Sequence, residues 1–259
     1  MSFEFFITAD GSPTLVVGGE EQRVEKMHHS QGALSESLYV YLPVLETLAA
    51  QGWPLKIFSL GFGLGYNEMI FTAWWLQGEA QSETFPSLER MDSFESDPRL
   101  REFFTQWLEG QPPSEAQEQD FFSAYDQILT ALAKKFSVDP EALKIQLLNW
   151  RRTGLWRLLS KFSPPGDEES SRSEIRYTGF FYDAFSHKMT PELWSESALK
   201  NILSVYAEEG CVFATYAATG NLKRALKQLG FDVSLRPGFA GKRQCTLAIR
   251  PCQPPRSES

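Results

Sequence analysis

The stretch LKIFSLGFGLGYNE, residues 55–68, decides the fold. In it a short apolar run ends in three glycines at alternate positions, Gly61, Gly63 and Gly65, and helix-compatible residues follow from Asn67. This order predicts a strand, a glycine turn and a helix. Glycine has no Cβ, so the backbone can turn sharply there and a ligand can approach it closely. We therefore expect an α/β fold with a doubly wound, mostly parallel sheet that binds a nucleotide-like ligand at the carboxyl ends of its strands.

The spacing of the glycines indicates which ligand is bound. Dinucleotide sites carry G-x-G-x-x-G, whereas this pattern, G-x-G-x-G-x-N, is similar to that of S-adenosylmethionine (AdoMet) methyltransferases. A plain tight turn without a ligand is the alternative. Residues 88–97, LERMDSFESD, predict a second strand that ends near Glu95. An acidic side chain at that point can accept hydrogen bonds from ribose hydroxyls, and a solvated loop carboxylate is the alternative.

Composition limits the class of protein. The chain has 259 residues, of which 42% are hydrophobic, and this suits one large domain or one domain with an insertion. No apolar run is long enough to span a bilayer, no signal peptide is evident, and three cysteines without C-x-x-C predict neither a disulfide scaffold nor a zinc site. We therefore expect a cytoplasmic protein without a metal. The net charge of −8 argues against a surface that binds nucleic acid as a whole, but it leaves room for a local basic patch.

The chain before the glycine stretch predicts a hairpin and a helix. Residues 1–24 read as a β-hairpin decoration whose turn is AspGlySerPro. Ser35 is placed to cap a helix that runs to Leu48, with a kink or restart at Pro43. The adjacent His28 and His29 are expected to lie on the surface or to be hydrogen-bonded, because no carboxylate stands at ligand spacing.

The chain after Glu95 predicts further elements of the same domain, which spans residues 25–250. A helical insertion occupies about 111–150, and residues 155–162 fit the third strand and a short helix equally well. A strand over 175–185 places Asp183 near its end, at the carboxyl edge of the sheet. The remaining predicted elements are a helix at 191–206, a strand at 211–216, a helix at 218–229, an antiparallel pair at 231–235 and 244–249, and a flexible tail at 251–259.

Four stretches carry a resemblance to a known family. They are MHHSQGALSES (27–37), LGFGLGYN (60–67), DAFS with PELW (183–194) and GFAGKR (238–243). Together they resemble the methyltransferase half of the MnmC-type tRNA 5-methylaminomethyl-2-thiouridine biosynthesis proteins, and stand-alone relatives that lack the oxidase half. The spacing of Asp183, Phe185, Pro191 and Trp194 is the most specific part of the match. The resemblance implies a class I AdoMet-dependent methyltransferase fold, with an antiparallel C-terminal hairpin.

The resemblance also implies an activity. Members of the family transfer a methyl group from AdoMet to the amine of 5-aminomethyl-(2-thio)uridine at the wobble position of tRNA. Their C-terminal FAD-dependent oxidase converts the carboxymethyl precursor. We expect this protein to lack that domain and to methylate an aminomethyl form made elsewhere. The family usually continues its aspartate with Gly-Phe-Ala-Pro, whereas this chain has Ala184, Phe185, Ser186 and His187. The loop over the target base is therefore altered.

The resemblance assigns roles to individual residues. Asp183 is the expected catalytic residue, facing the substrate amine, and Phe185 is placed to stack on the uracil or to pack in the core. The expected AdoMet-binding residues are Gly61, Phe62, Gly63, Leu64 and Gly65 at the methionine end, Asn67 at the start of the helix behind them, Glu95 at the ribose, and Glu36 with its neighbours Ser35 and Ser37 near the methyl group. The expected contacts with tRNA phosphates are Lys223, Arg224, Lys242 and Arg243, for which an ordinary solvated face is the alternative.

Three competing interpretations remain open on the sequence. An AdoMet-dependent methyltransferase that acts on a small molecule or a protein has the same fold, and the acidic net charge and the altered loop favour it. A non-catalytic AdoMet-binding or partner-binding module is the second. A dinucleotide-dependent oxidoreductase fits worse, because the G-x-x-G spacing is missing.

Overall fold

The structure, a computed structural model, describes residues 2–18, 24–82, 84–166, 173–241 and 244–252. Its strands are β1 (Ser2–Ile7), β2 (Pro13–Gly18), β3 (Val24–Lys26), β4 (Leu55–Leu60), β5 (Leu88–Phe94), β6 (Trp156–Leu159), β7 (Tyr177–Tyr182), β8 (Ala207–Thr215), β9 (Asp232–Arg236) and β10 (Cys245–Arg250). Its helices are α1 (Ala33–Gln51), α2 (Tyr66–Gln81), α3 (Pro98–Leu108), α4 (Ala116–Phe136), α5 (Pro140–Thr153), α6 (Pro191–Trp194), α7 (Glu196–Tyr206) and α8 (Gly220–Gln228).

A seven-stranded sheet forms the centre of the fold, in the order β6-β5-β4-β7-β8-β10-β9. Its first five strands are parallel, and β10 pairs antiparallel with both β8 and β9. The predicted doubly wound sheet with an antiparallel C-terminal hairpin is confirmed. The chain goes outward from β4 to β5 and β6 and then returns to the other side of β4 with β7. This reversal makes the carboxyl ends of β4 and β7 the point where such sheets bind ligands.

Alternate residues of the central strands face two separate cores. Ile57 of β4 and Phe181 of β7 lie in the core beneath the helices α1 to α5. Their neighbours Phe58 and Phe180 lie in the second core, which packs against α7 and α8. Because strand side chains point alternately to opposite faces, these continuous apolar runs are what a sheet covered on both sides requires.

The N-terminal hairpin is more than the decoration that the sequence predicted. It continues into β3 as a three-stranded antiparallel sheet, and its turn supplies the N-terminal cap of α1. The Ser12 hydroxyl oxygen accepts hydrogen bonds from the backbone N–H groups of Ala33 and Leu34 at 3.1 and 3.0 Å. The Asp10 carboxylate accepts from the N–H of Ser35 at 3.0 Å. Hydrogen bonds from another segment thus satisfy donors that α1 leaves open.

Several predicted details of the helices are corrected by the structure. Ser35 is not the cap of α1, because the helix begins at Ala33 after Gly32, and it continues through Pro43 without a break in its assignment. The predicted helix at 191–206 is divided into α6 and α7, because the Ser195 hydroxyl accepts from the N–H of Ala198 and caps a new helix. Strand β8 begins at Ala207, four residues before the predicted start at 211.

The region between β5 and β7 contains the predicted insertion and the missing third strand. Helices α4 and α5 occupy the stretch predicted as a helical insertion, and Phe121 of α4 packs edge-on against Phe5 of the N-terminal sheet, with ring centroids 4.8 Å apart. Residues Trp156–Leu159 are a strand, β6, which pairs parallel with β5 from Met91↔Trp156 onward. The choice between strand and short helix is therefore made by the neighbouring strand rather than by the local sequence.

Candidate cofactor and substrate site

The glycine turn joins β4 to α2 through a backbone conformation that favours glycine. The N–H groups of Gly61 and Phe62 both donate to the carbonyl oxygen of Phe94 at 3.1 Å, so the turn is fixed to the end of β5. Gly61 has φ +89°, and a Cβ there would lie 2.1 Å from the Asp183 carbonyl oxygen. The absence of a side chain at Gly61 lets the ends of β4 and β7 approach each other.

Glu95 follows β5 directly, as the sequence predicted, and its carboxylate lies against the turn. One oxygen, Oε2, accepts from the Gly63 N–H at 3.0 Å, and the other, Oε1, accepts from the Asp97 N–H at 2.8 Å. The side chain is buried, and burial raises the pKa of Glu95, opposed by its backbone hydrogen bonds. A buried carboxylate with free lone pairs can accept further hydrogen bonds from a ligand's hydroxyl groups.

Asp183 lies at the end of β7, opposite the glycine turn. Its backbone N–H donates to the Leu60 carbonyl oxygen at 2.8 Å, which continues the pairing of β7 with β4. Its Oδ2 accepts from the Asn67 side-chain amide at 3.1 Å. Asn67, in the first turn of α2, therefore orients the Asp183 carboxylate, a contact that the sequence analysis did not foresee.

These groups surround one cavity of about 340 Å³. This volume lies in the range of small-molecule sites. The backbone and side chains of the turn form one wall, and the Asp183 loop forms another. The residues that line it are Glu25 to Ser30, Glu36, Ser37, Tyr41, Gly61, Phe62, Gly63, Tyr66, Asn67, Glu95, Asp183, Ala184, Phe185 and Tyr216.

Two buried polar atoms in this lining lack a hydrogen-bond partner among the described residues. They are the Asn67 side-chain oxygen Oδ1 and the Ser37 hydroxyl oxygen Oγ. Asn67 is 2% and Ser37 is 1% exposed. Because buried polar groups are nearly always paired, both atoms indicate a polar ligand in the cavity. Together with the carboxylates of Glu36, Glu95 and Asp183, they give the cavity several groups that can accept hydrogen bonds from a polar ligand.

The structure brings together only part of the predicted site. Gly61, Phe62, Gly63, Asn67, Glu95, Glu36, Asp183 and Phe185 line the cavity. Leu64, Gly65 and Ser35 do not: Leu64 is fully buried, and the Ser35 hydroxyl donates to the Asp10 carboxylate at 2.7 Å. Ser37, which was predicted beside Glu36 and Ser35, does line the cavity.

The predicted basic cluster is only partly visible. Lys242 and Arg243 lie outside the described residues. Arg224 on α8 pairs with Glu196 on α7, with 2.6 Å between its Nε and the carboxylate oxygen. Lys223 is its half-buried neighbour on α8. The structure thus gives no evidence of a concentrated basic patch in the part it describes.

Several cavity residues were missed from the sequence. Tyr41 of α1 and Tyr216 after β8 both face the cavity, and burial raises the pKa of each phenol well above its usual range, with the Asp183 charge adding to it. Both phenols are therefore neutral near pH 7. His28 also lines the cavity, and its Nδ1 lies 2.9 Å from the Thr14 hydroxyl. Of these three residues, only His28 belongs to a motif singled out in the sequence, MHHS at 27–30.

A buried carboxyl lies beneath the turn. Glu68 of α2 is fully buried, and its Oε1 accepts from the hydroxyl groups of Ser59 and Ser93 at 2.7 Å each. The Ser93 hydroxyl in turn accepts from the Trp156 indole N–H at 3.0 Å. Burial raises the pKa of Glu68 to about 7, although the two serine hydrogen bonds oppose the rise. This group ties α2 to β4, β5 and β6 below the site.

The described ranges contain neither a candidate metal site nor a candidate membrane span. No group of three or more His, Cys, Asp or Glu side chains there is arranged to hold a metal ion. None of the described helices combines the length and apolar character needed to cross a membrane.

Comparisons with known proteins agree with this geometry. The model of a family described as S-adenosyl-L-methionine-dependent methyltransferase matches residues 167–251. A tRNA 5-methylaminomethyl-2-thiouridine biosynthesis bifunctional protein MnmC from Hahella chejuensis is 45% identical over 85 residues, which are 33% of this chain and 13% of that protein. The MnmC protein of Cupriavidus necator is 28% identical over 252 residues, covering 95% of this chain and 34% of that protein.

A solved structure also matches. MNMC2 from Aquifex aeolicus superposes with a TM-score of 0.61 at 23% identity, over 95% of this chain and 70% of that one. This likeness concerns the fold. The chain spans about a third of the length of the MnmC protein that it matches along 95% of its residues. The chain therefore has the class I methyltransferase fold, and its sequence is similar to the MnmC proteins over most of its length.

Proposed function

We propose that this protein transfers a methyl group from AdoMet to the amine of 5-aminomethyl-(2-thio)uridine at the wobble position of tRNA. One observation carries the proposal: the Asp183 carboxylate and the glycine turn face the same cavity. The relatives that match the chain are named for biosynthesis of 5-methylaminomethyl-2-thiouridine in tRNA. The final methyl group of that nucleoside sits on an amine, the kind of group that a carboxylate such as Asp183 can orient. A cytoplasmic location, where tRNA is modified, belongs to the same proposal.

Different residues of the cavity would bind different parts of AdoMet. Glu95 would accept the ribose hydroxyls, and the backbone of the glycine turn would approach the methionine end. Asn67 Oδ1 and Ser37 Oγ, which have no partner among the described atoms, would accept or donate the remaining hydrogen bonds. When bound, AdoMet supplies a methyl group on a positively charged sulfonium. Leu64, Gly65 and Ser35 would then act by shaping the turn and the start of α1 rather than by contact.

Asp183 would orient the amine and take its proton. An amine attacks as the neutral form, and after it gains a methyl group it must lose a proton, which the Asp183 carboxylate accepts. Asn67 keeps one Asp183 oxygen in place at 3.1 Å, so the amine is aligned without much reorganisation. Phe185, at the same wall of the cavity, would contact the edge of the uracil ring that faces Asp183.

Contacts with tRNA would come from basic side chains near the C-terminus. Lys223, Lys242 and Arg243 remain the proposed phosphate contacts, and Arg224 would have to leave or share its pairing with Glu196. Phosphate contacts release counterions, so the affinity for tRNA should fall steeply as ionic strength rises. If the affinity for tRNA does not change with ionic strength, these residues belong to an ordinary solvated surface instead.

A second candidate function keeps the chemistry and changes the substrate. The net charge of −8 and the Arg224–Glu196 pair both weaken an electrostatic attraction to RNA. They favour a methyltransferase that acts on a small molecule or on a protein. A degenerate AdoMet-binding module is the remaining alternative.

A methylation assay tests the proposal. Purified protein is incubated with AdoMet labelled in its methyl group and with bulk tRNA from a strain that stops at the aminomethyl stage. Bulk tRNA from a strain that completes the modification is the matched control, because its amine is already methylated. We expect label on the wobble uridine of the first tRNA only. Binding of AdoMet without transfer to tRNA would favour the small-molecule or protein substrate, and neither binding nor transfer would favour the degenerate module.

A further inference from the structure

A second cavity adjoins the first one, and the proposed function does not yet use it. Its volume is about 740 Å³. Its walls include the loop segment Ser186 to Met189, with Trp194 and Thr219 opposite. Glu25 and Tyr216 line both cavities. These two side chains therefore stand at the junction, which we call the neck.

The loop after β7 leads from one cavity into the other. Its first residues, Asp183 to Phe185, line the first cavity, and the next four line the second. Glu25 of β3 fastens this loop, because its Oε2 accepts from the Ser186 hydroxyl at 2.9 Å and its Oε1 accepts from the Ser186 N–H at 3.2 Å. A carboxylate has about four lone-pair positions, so Glu25 can still accept from a ligand.

The neck carries negative charge. Burial raises the pKa of the Tyr216 phenol, and the charges of Asp183, Glu25 and Glu36 raise it further. The phenol hydroxyl donates to the Ala184 carbonyl oxygen at 2.8 Å and fixes the ring in this position. Carboxylates thus approach the neck from three different segments of the chain. Such a site favours a cation and disfavours an anion.

Basic groups also lie near the neck. Lys26 lines the first cavity, but its ammonium lies 3.6 Å from the centre of the Phe6 ring, on the N-terminal sheet. His187 and Lys188 line the second cavity as exposed residues. Solvent screens the charges of exposed side chains more strongly than it screens those of buried ones.

We propose that the second cavity receives the base of the substrate nucleotide and that Glu25 recognises the aminomethyl group, as its ammonium form, at the neck. This inference rests on the proposed function and names the part of the site that selects the substrate. The side chains of Trp194, Met189 and Tyr216 offer apolar and aromatic walls to a planar base. The ammonium group then gives up one proton to solvent, and the neutral amine extends past Glu25 toward Asp183 in the first cavity. Glu25 is in this view a specificity-determining residue, whereas Asp183 takes the proton that the amine releases after the methyl transfer.

A binding experiment tests Glu25 without relying on turnover. Two anticodon stem–loop RNAs are compared, one with 5-aminomethyluridine and one with uncharged 5-hydroxymethyluridine at the wobble position. Their affinities are measured by fluorescence anisotropy with S-adenosylhomocysteine present, so that no methyl group can move. We expect the wild-type protein to bind the amine RNA about tenfold more tightly, as a charge-assisted hydrogen bond provides. Glu25→Gln should bind the two RNAs equally.

Ser186→Ala is the matched control. It removes the hydroxyl that Glu25 accepts from but keeps the carboxylate charge, so it should preserve the preference for the amine RNA. A Glu25→Gln protein that still prefers the amine RNA, a Ser186→Ala protein that loses the preference equally, or a wild type without preference would overturn the inference. A wild type that prefers the amine RNA but fails in the methylation assay would instead contradict the proposed function and leave the assignment of Glu25 standing.

Discussion

The glycine turn at residues 61–65 and the loop at 183–190 both border the first cavity, yet they are built differently. The turn is held by backbone hydrogen bonds to β5 and by left-handed conformations at its three glycines. The loop is held by side chains from outside it: the distant Glu25 accepts from Ser186, and the Trp194 indole N–H of the following helix donates to the Phe185 carbonyl oxygen at 2.6 Å. Backbone geometry thus shapes the proposed cofactor side, and side-chain contacts shape the proposed substrate side.

The largest predicted effect is a loss of methyl-transfer rate on substitution of Asp183, which belongs to the loop and not to the turn. Asp183→Asn keeps the size of the side chain and can still accept from Asn67, but it cannot take a proton. We expect the rate of methyl transfer to fall by about a thousandfold, within the range for loss of general-base catalysis. AdoMet affinity, measured by calorimetry, should stay nearly unchanged. A tenfold loss of AdoMet binding with normal turnover would mean that Asp183 belongs to the cofactor side.

The second prediction concerns the rigidity of the turn. Gly61→Ala places a Cβ 2.1 Å from the Asp183 carbonyl oxygen at φ +89°. We expect a loss of about 3 kcal/mol in the free energy of unfolding, from the left-handed conformation and the clash together. The matched control is Gly154→Ala, where φ is +76° and nothing lies within 4 Å, so only about 1 kcal/mol should be lost. Equal losses in urea denaturation would show that the close approach at Gly61 does not matter.

The third prediction concerns Glu68, the buried carboxyl group beneath the glycine turn. Burial raises the pKa of Glu68 from 4.5 to about 7, so the folded state binds this proton more tightly than the unfolded state does. Its contribution to stability is therefore fully present below pH 4.5 and is lost as the pH rises toward 7, by up to about 1.4 kcal/mol per pH unit. Glu68→Gln should remove this slope, as urea denaturation at a series of pH values would show. A slope that persists unchanged in the variant would contradict the assignment.

The smallest effect is expected at Asn67, which connects the two regions. Asn67→Ala removes the hydrogen bond to Asp183 and should lower the rate of transfer about tenfold, because the carboxylate loses its orientation. It should also weaken AdoMet binding slightly, since the Oδ1 atom faces the same cavity. Steady-state kinetics at saturating AdoMet would measure the first effect. An unchanged rate would show that Asp183 is positioned by other contacts.

The contrast between the regions also explains what could be predicted from the sequence. The strand, turn and helix around Gly61 were predicted correctly, because glycine spacing and apolar runs are local signals. Glu95 was predicted at the end of the second strand for the same reason, since β5 ends at Phe94. The strand at Trp156–Leu159 could not be separated from a helix, because its four residues become a strand only by pairing with β5.

Contacts between distant segments could not be predicted from the sequence. The capping of α1 by Ser12 and Asp10 joins residues more than twenty positions apart, so the sequence assigned the cap to Ser35 instead. The same holds for Glu25 at Ser186 and for Asn67 at Asp183. The sequence likewise shows basic residues near the C-terminus, but it does not show that Arg224 is paired with Glu196.

The most direct measurement is a calorimetric titration of AdoMet against the wild type and Glu95→Gln. The variant keeps the shape of the side chain but replaces one of two acceptor oxygens with a donor. We expect one AdoMet per wild-type chain and an affinity about tenfold lower in the variant, as the loss of one charged hydrogen bond predicts. An absence of binding to the wild type, or an equal affinity in the variant, would contradict the claim that AdoMet occupies the cavity above the glycine turn with its ribose at Glu95.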